Sequence, residues 1–329
     1  MLSYTIRRLL LIIPTLLLVT ILVFLSVRFV PGDVIDMMVA QMSSSGAVSG
    51  LNADYLREQM GLNVPLHMQY VRWLGVWPQA AGGFHGLLQG DLGESLWRNQ
   101  SVMSLLLQRL PVSIELGLIA MLTALLISIP IGVYSAIRQD TIGDYVGRTV
   151  SILFISVPSF WIGTMIMVYP AIWWGWSPSL EYIPFTRNPA ANLLQFIIPG
   201  FIMGMVMGGT LMRMTRTMML EVLRQDYIRT AWAKGLREST VIVRHALKNA
   251  LIPIVTIIGV MVPMVVGGTV VIEQIFVLPG VGLLTFEALN YRDYPIISGV
   301  NVFIATVVLV VNLAVDLTYA WLDPRIKYR

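Results

Sequence analysis

Cysteine is absent from the 329 residues, which excludes a disulfide framework, a thiolate metal site and a cysteine nucleophile while leaving the compartment open. Charge is scarce as well. The 22 basic and 18 acidic residues make up 12% of the chain, against about a quarter in a soluble domain. So few charges, gathered into a few stretches, cannot coat a soluble core of this size, and lipid is the expected main solvent. No glycine is followed by lysine, so the phosphate-cradling loop Gly-x-x-x-x-Gly-Lys-Ser/Thr cannot be built and the chain cannot hydrolyse ATP alone. His67, His85 and His245 are isolated, with no acid or histidine at i+4; each reads as a surface group, and no metal site is expected. No clustered nucleophile or metal constellation supports a membrane enzyme.

What the chain has is hydrophobic length. A bilayer core of about 30 Å needs roughly 20 apolar residues at 1.5 Å each, and six stretches meet this: 9–30, 112–136, 149–174, 194–212, 251–272 and 296–322. The first follows Arg7 and Arg8; it is longer than the apolar region of a secretory signal and no small-residue cleavage site follows, so it reads as a retained helix. In the fourth, Gly200, Gly204 and Gly208 recur every four residues and share one face, where small residues let another helix approach closely. Neither a repeat nor a low-complexity tract beyond Ser43-Ser44-Ser45-Gly46 appears, and the chain reads as a single transmembrane domain, 1–329.

The connections alternate in charge. Arg138 and Arg148 lie in the second, and the fourth, 213–250, carries Arg213, Arg216, Arg224, Arg229, Lys234, Arg237, Arg244 and Lys248; the third and fifth have Arg187 and Arg292 alone. Basic residues in short loops stay in the cytoplasm, which places both termini, the second loop and the fourth inside. The long first loop, 31–111, becomes extracytoplasmic, because long loops translocate largely regardless of charge. Trp173, Trp174 and Trp176 then fit an aromatic belt on the outer face.

Intramembrane polar groups are few. Glu115 lies near the outer end of the second stretch, and Asn312 and Asp316 lie one turn apart in the sixth. A proton-coupled carrier would use such groups as its relay; the alternatives are a hydrated interfacial anchor for Glu115 and a packing role for Asp316. Pro263, Gly267 and Gly268 can open the backbone of the fifth stretch toward a pore, since irregular backbone at membrane depth is tolerated beside a cavity, or can serve close packing. Glu115, Pro263, Gly267, Asn312 and Asp316 are the candidates for a translocation path.

Loop 213–250 is the informative element. From Met218 to Lys234, the residues Met219, Leu223, Tyr227 and Ala231 recur at i+4 and form one apolar stripe, with Arg224, Asp226 and Arg229 elsewhere. Gly235 is the expected C-cap, and Ser239 or Thr240 the expected cap of a second short helix toward Asn249. The expectation is helix, turn, helix on the cytoplasmic face. An interfacial anchor helix is the competing reading. Nucleic acid is not an expected partner, because topology already explains eight basic residues here.

Arg229-Thr230-Ala231, three residues, Gly235, nine residues, then His245-Ala246-Leu247-Lys248-Asn249 resembles the Glu-Ala-Ala loop of bacterial ABC-importer permeases. The Glu is replaced by Arg229, Thr230 stands for the first Ala, and the terminal Ile-x-Leu-Pro becomes His245-Ala246-Leu247-Lys248. Those variants resemble the dipeptide, oligopeptide and nickel branch. So do Pro31-Gly32-Asp33, Gly61-Leu62 with Pro65 and Gln69-Tyr70, Gly90-Asp91-Leu92-Gly93, Glu273 with Phe276 and Pro279-Gly280-Val281-Gly282, and Asp323-Pro324-Arg325; the N-terminal pattern and large first loop look like its B-type, dipeptide-permease-like subunit.

The resemblance implies an all-α, six-helix, type I importer permease of the bacterial inner membrane. Between helices four and five it implies coupling helices that dock into a cleft on an ATP-binding subunit, carried by Arg229, Thr230, Ala231, Lys234, Gly235, Leu236 and His245. An apolar tip of Ala231, Gly235 and Leu236 would enter the cleft, with Arg229, Lys234 and Arg237 paired to acids at its rim. The implied partners are a second homologous permease subunit, two ATP-binding subunits holding ATP and Mg, and an extracytoplasmic solute-binding protein facing the first loop. The chain itself would be no enzyme and hold no cofactor. The implied activity is import of di- and oligopeptides by alternating access; nickel, glutathione or oligosaccharides remain open as cargo, and an ATP-independent secondary carrier is the rival class.

Overall fold

The computed structural model describes residues 2–29, 35, 57, 63–79, 82–179, 181–267 and 269–322. Pro31-Gly32-Asp33, Gly61-Leu62 and Asp323-Pro324-Arg325 lie outside the described residues. In chain order the helices are α1 (Leu2–Arg28), α2 (Leu66–Leu74), α3 (Val102–Ile137), α4 (Ile142–Ser156), α5 (Ser159–Trp174), α6 (Pro189–Leu223), α7 (Asp226–Ala233), α8 (Glu238–Thr240), α9 (Lys248–Gly267), α10 (Val270–Ile275), α11 (Val281–Tyr291) and α12 (Tyr294–Leu322). Among the described residues there is no strand, only an isolated bridge between Glu94 and Ser101.

Five helices are long and apolar enough to cross a membrane, and six if the bent pair α4–α5 is one span. The described residues of all six apolar stretches lie mainly on helix, but the third differs from the continuous span expected at 149–174. It starts earlier, at Ile142, and is bent by 87° between Ser156 and Ser159. Pro158 causes the break: it lacks an N–H and pushes the preceding residue out of helical geometry, and Val157 sits at φ −84, ψ 122. The fifth connection carries a helix of its own, α11.

Two compact units arise from these helices. One combines Met1–Arg8, Leu110–Leu283 and Val307–Arg329. Its core is a continuous apolar cluster that includes Leu116, Ala120, Phe196, Ile202, Leu211, Ile254 and Ile272. A Cβ on Gly200 would lie 2.5 Å from Ile119 Cγ2, and one on Gly204 would lie 2.7 Å from the Ala120 carbonyl. The small-residue face expected on the fourth stretch is therefore where α6 meets α3 backbone to backbone.

A second anchor of this unit is Glu273, fully buried in the first turn of α10. Ser113 Oγ donates to its Oε1 at 2.9 Å, and the backbone N–H of Leu283 donates to Oε2 at 2.8 Å. Ser113 Oγ also accepts from Val281 N–H at 2.8 Å. The chain from Phe276 to Leu283 thus wraps around one carboxylate, and Pro279-Gly280-Val281-Gly282 is legible as its wrapping. A Cβ at Gly280 would stand 2.4 Å from the carboxyl carbon.

The other unit combines Leu9–Arg109 with Leu284–Thr306. Phe24 and Tyr70 pack edge to face at 5.4 Å between centroids, and Thr20 shares a 2.9 Å hydrogen bond with the Tyr70 hydroxyl. The Gly90-Asp91-Leu92-Gly93 turn, where Asp91 Oδ1 accepts from Gly93 N–H at 2.8 Å, leads into a loop closed by Ser95 N–H on Gln100 O at 2.8 Å. Asp293 ties that loop to the end of α11, accepting from Ser95 Oγ at 2.5 Å, while Trp97 Nε1 donates to Tyr291 O at 2.8 Å.

Candidate functional site

Loop 213–250 is helical almost throughout, but its phasing differs from the expected single helix over 218–234. α6 runs on to Leu223, the chain breaks at Arg224-Gln225, and α7 starts at Asp226, whose acidic side chain sits in the first turn where the helix dipole favours it. The break rotates the stripe: Ile228 is fully buried and Tyr227 is 44% exposed. The buried face is Met219, Ile228 and Ala231, packed with Ala136, Val241, Ile242, Ala246 and Ala250 into a small core of its own.

At its end α7 turns on Gly235, at φ 72, which only glycine adopts without strain. Gly235 N–H donates to Trp232 O at 2.9 Å, and Leu236 N–H reaches back to Ala231 O at 3.4 Å, so the expected C-cap is in place. The next helix is capped differently from expectation. Arg237 is its N-cap, Ser239 and Thr240 lie inside it, and no side chain closes the cap. Nor does it stop near Asn249. A π-helical stretch, Val241–Leu247, carries it directly into α9, so the turn at 234–237 leads into a membrane-spanning helix with no loop between them.

The residues singled out for coupling divide by face. Arg229, Thr230, Lys234, Gly235 and Leu236 are exposed, and His245 is half-buried. Ala231, expected at the tip, is 7% exposed and faces inward. Its place on the surface is taken by Trp232, 43% exposed, beside Leu236 at 38%. An isolated tryptophan in a short polar helix was the signal for it. Arg229 pairs with Asp226 at 3.5 Å, but both are largely exposed and the pair adds little. Tyr227 and Asn249 join α7 to α9 through a 2.8 Å bond from Asn249 Nδ2 to the phenol oxygen.

The five path candidates are not gathered by hydrogen bonds among the described residues. α9 ends at Gly267, and α10 begins at Val270 after Thr269 in extended geometry; Gly268 lies outside the described residues. Pro263 is half-buried inside α9 and Asn312 is exposed on α12. The side chain of Asp316 lies outside the described residues.

Glu115 has a defined setting on α3. Asn192, fully buried in the first turns of α6, offers Nδ2 to Glu115 Oε2 at 3.4 Å and to Ile183 O at 2.9 Å. Gln195 holds the same strand of chain, accepting from Ile183 N–H at 3.1 Å and donating to Glu181 O. Burial first, and then the charge of Glu115, push the Tyr182 phenol above its ordinary pKa, and its ring packs edge to face on Phe196 at 6.4 Å between centroids. Asn192, Gln195 and Tyr182 escaped the sequence reading because their grouping depends on the fold of 177–188.

Residues 128–328 match the family of binding-protein-dependent transport system inner membrane components, and residues 1–117 match the N-terminal part of the same membrane component. The chain belongs to this family. Its relatives include the oligopeptide transport system permease protein AppB of Bacillus subtilis, 39% identical with both chains covered in full. The dipeptide transport system permease protein DppB of Alkalihalophilus pseudofirmus is 36% identical, again over the whole of both chains. A putative peptide transport system permease of Brucella abortus is 37% identical over 96% of each. In fold, the permease is similar to a chain of the MetNI methionine ABC transporter solved in inward-facing conformations, with a TM-score of 0.50 and 18% identity over 67% of this chain and 97% of that one.

The resemblance read from loop 213–250 and the ordered motifs is thereby shown. This permease is a multi-pass inner-membrane component of an ABC importer, works with ATPase and binding-protein partners, and is a transport component, not an enzyme. Membership favours that role over an ATP-independent carrier.

Proposed function

We propose that this permease forms a translocation path for di- and oligopeptides together with a second homologous permease subunit, switching by alternating access as two ATP-binding subunits close around ATP and Mg. An extracytoplasmic solute-binding protein delivers the cargo to the side of the 31–111 loop, and both termini lie in the cytoplasm. The peptide cargo is carried over from the relatives, several of which are named as peptide permeases across their whole length.

The observation that carries the coupling role is the exposed tip Trp232 to Arg237 above its own small core. A tip that packs inward through Ile228 and Ala231 is stiff, and one that presents Trp232 and Leu236 outward with Lys234 and Arg237 beside them suits an apolar cleft with an acidic rim. Because α8, the π-helical stretch and α9 run on without interruption, a push on the tip is transmitted as a rigid-body movement of a membrane helix. Co-purification tests this. Leu236→Asp keeps the inward face intact and should lose the ATP-binding subunits from the tagged complex while the protein still folds and inserts. Retention of those subunits at native yield sinks the coupling assignment, and the basic helix then serves as an interfacial anchor.

A further inference from the structure

Glu115 and Asn192 each carry a buried side-chain oxygen, Oε1 and Oδ1, without a hydrogen-bond partner. Both atoms are acceptors, and they belong to side chains already joined through Asn192 Nδ2 and Glu115 Oε2. A buried acceptor left unmatched costs about 1–3 kcal/mol, and more on a charged group, so native chains rarely keep two together without a use. The ion pairs among the described residues pass Glu115 by. Its carboxylate is met instead by one amide, Asn192 Nδ2.

The chemistry of a group that would complete this arrangement follows from the donors it must bring. Two bare acceptors, one on a carboxylate, are best matched by several N–H donors on one positive centre, because the carboxylate also needs a counter-charge. An ammonium meets that demand with three donors and a full charge. Asn192 and Gln195 also bond to the backbone of Ser179, Glu181 and Ile183, so the side chains that meet Glu115 are themselves held in place from α6.

We infer that the Glu115–Asn192 pair is a binding site for the amino-terminal ammonium of the cargo, taken up during its passage. The inference rests on the peptide-import reading above and adds to it the group by which the permease, apart from the binding protein, would hold a peptide. The same positive group could come from a basic side chain of the second permease subunit, and the test separates the two sources.

The complete transporter in nanodiscs, both faces open and no binding protein present, is titrated calorimetrically with L-alanyl-L-alanine and with propionyl-L-alanine, the same molecule without the amino group. Native protein should bind the first at least tenfold more tightly than the second. Glu115→Gln should remove that preference by weakening dialanine alone, and Glu115→Asp should restore part of it, which a merely structural carboxylate would not do. An undiminished preference in Glu115→Gln overturns the inference, as does equal weakening of both ligands or a native complex that ignores dialanine. If Glu115→Gln instead sheds the second permease during purification, the cation belongs to that subunit and the cargo assignment is wrong. The parent reading is judged separately: it fails if native transporter with its binding protein imports no peptide into proteoliposomes, whatever the titrations give.

Discussion

Arg216 on α6 donates Nε and Nη2 to the two carboxylate oxygens of Asp144 on α4, at 2.7 and 2.8 Å, with the carboxylate wholly buried. Asp144 also accepts from Asp140 N–H at 3.0 Å and has Arg148 at 3.5 Å. A bidentate pair of this kind fixes direction as well as distance, so it holds α4 against the part of α6 that leads into α7.

Removing one partner leaves an uncompensated buried charge, a loss of about 3–5 kcal/mol. Asp144→Ala should therefore lower the thermal unfolding temperature of the purified complex sharply. Asp144→Ala with Arg216→Met, which removes both charges, should recover much of that loss. A double variant no more stable than Asp144→Ala would show that the packing of α4 on α6, and not the charge pair, is what the substitution damaged.

The wrapping of Glu273 predicts two costs of different origin. Ser113→Ala removes a donor to Glu273 and an acceptor for Val281 N–H together, worth about 1–3 kcal/mol where the groups are buried. Gly280→Ala forces a methyl group toward the carboxyl carbon at 2.4 Å, an overpacking cost of about 1–3 kcal/mol. Combined with Glu273→Gln, Gly280→Ala should cost about as much as before, since the amide fills the same space, whereas Ser113→Ala should cost less, having no charge left to serve. Denaturation of the four variants in detergent checks this, and equal behaviour of the two substitutions would contradict the separate origins.

Gly235 gives a cleaner case. Its φ of 72 is the whole constraint, because a Cβ there would meet nothing within 4 Å. Gly235→Ala should cost only about 1 kcal/mol, the strain of a side chain in the left-handed region, and should leave the ATP-binding subunits bound. Loss of those subunits in Gly235→Ala, measured by pull-down, would mean that the cleft closes on the glycine itself more tightly than a methyl group allows.

Much of this was legible in the sequence where the physics is local. The apolar runs had to be helices because lipid offers the backbone no other partner, and Gly200, Gly204 and Gly235 marked a close contact and a turn by lacking a side chain. The 87° bend was in reach, since Pro158 stood in the run; the length of the apolar stretch concealed it. What stayed hidden depends on distant residues. The break at Arg224-Gln225 shifted the buried face from Tyr227 to Ile228, and no i+4 count can foresee a break set by packing on Ala136 and Val241. Asp144–Arg216, 72 residues apart, and Glu115–Asn192, 77 apart, are invisible until the helices are placed.

The bond from Asn249 Nδ2 to the Tyr227 hydroxyl, 2.8 Å long, is the one side-chain hydrogen bond described between α7 and the start of α9, and it stands beside the turn through which the tip would push. Both residues are exposed, so the bond adds at most about 1 kcal/mol to stability, and its removal should be hard to detect by unfolding. Its effect belongs to transmission: with the bond gone, α7 can tilt against its small core before α9 follows. Tyr227→Phe should keep the ATP-binding subunits attached and their ATP turnover near native, while the peptide imported per ATP consumed falls severalfold in proteoliposomes. Asn249→Ala, which also removes a bond to His245 O within the same helical run, should give a similar result, and the double variant should be no worse than Asn249→Ala alone, since the bond between the two residues is already gone. Additive losses in the double variant would mean that Tyr227 and Asn249 act on separate partners and that the link between α7 and α9 lies in their shared apolar core alone.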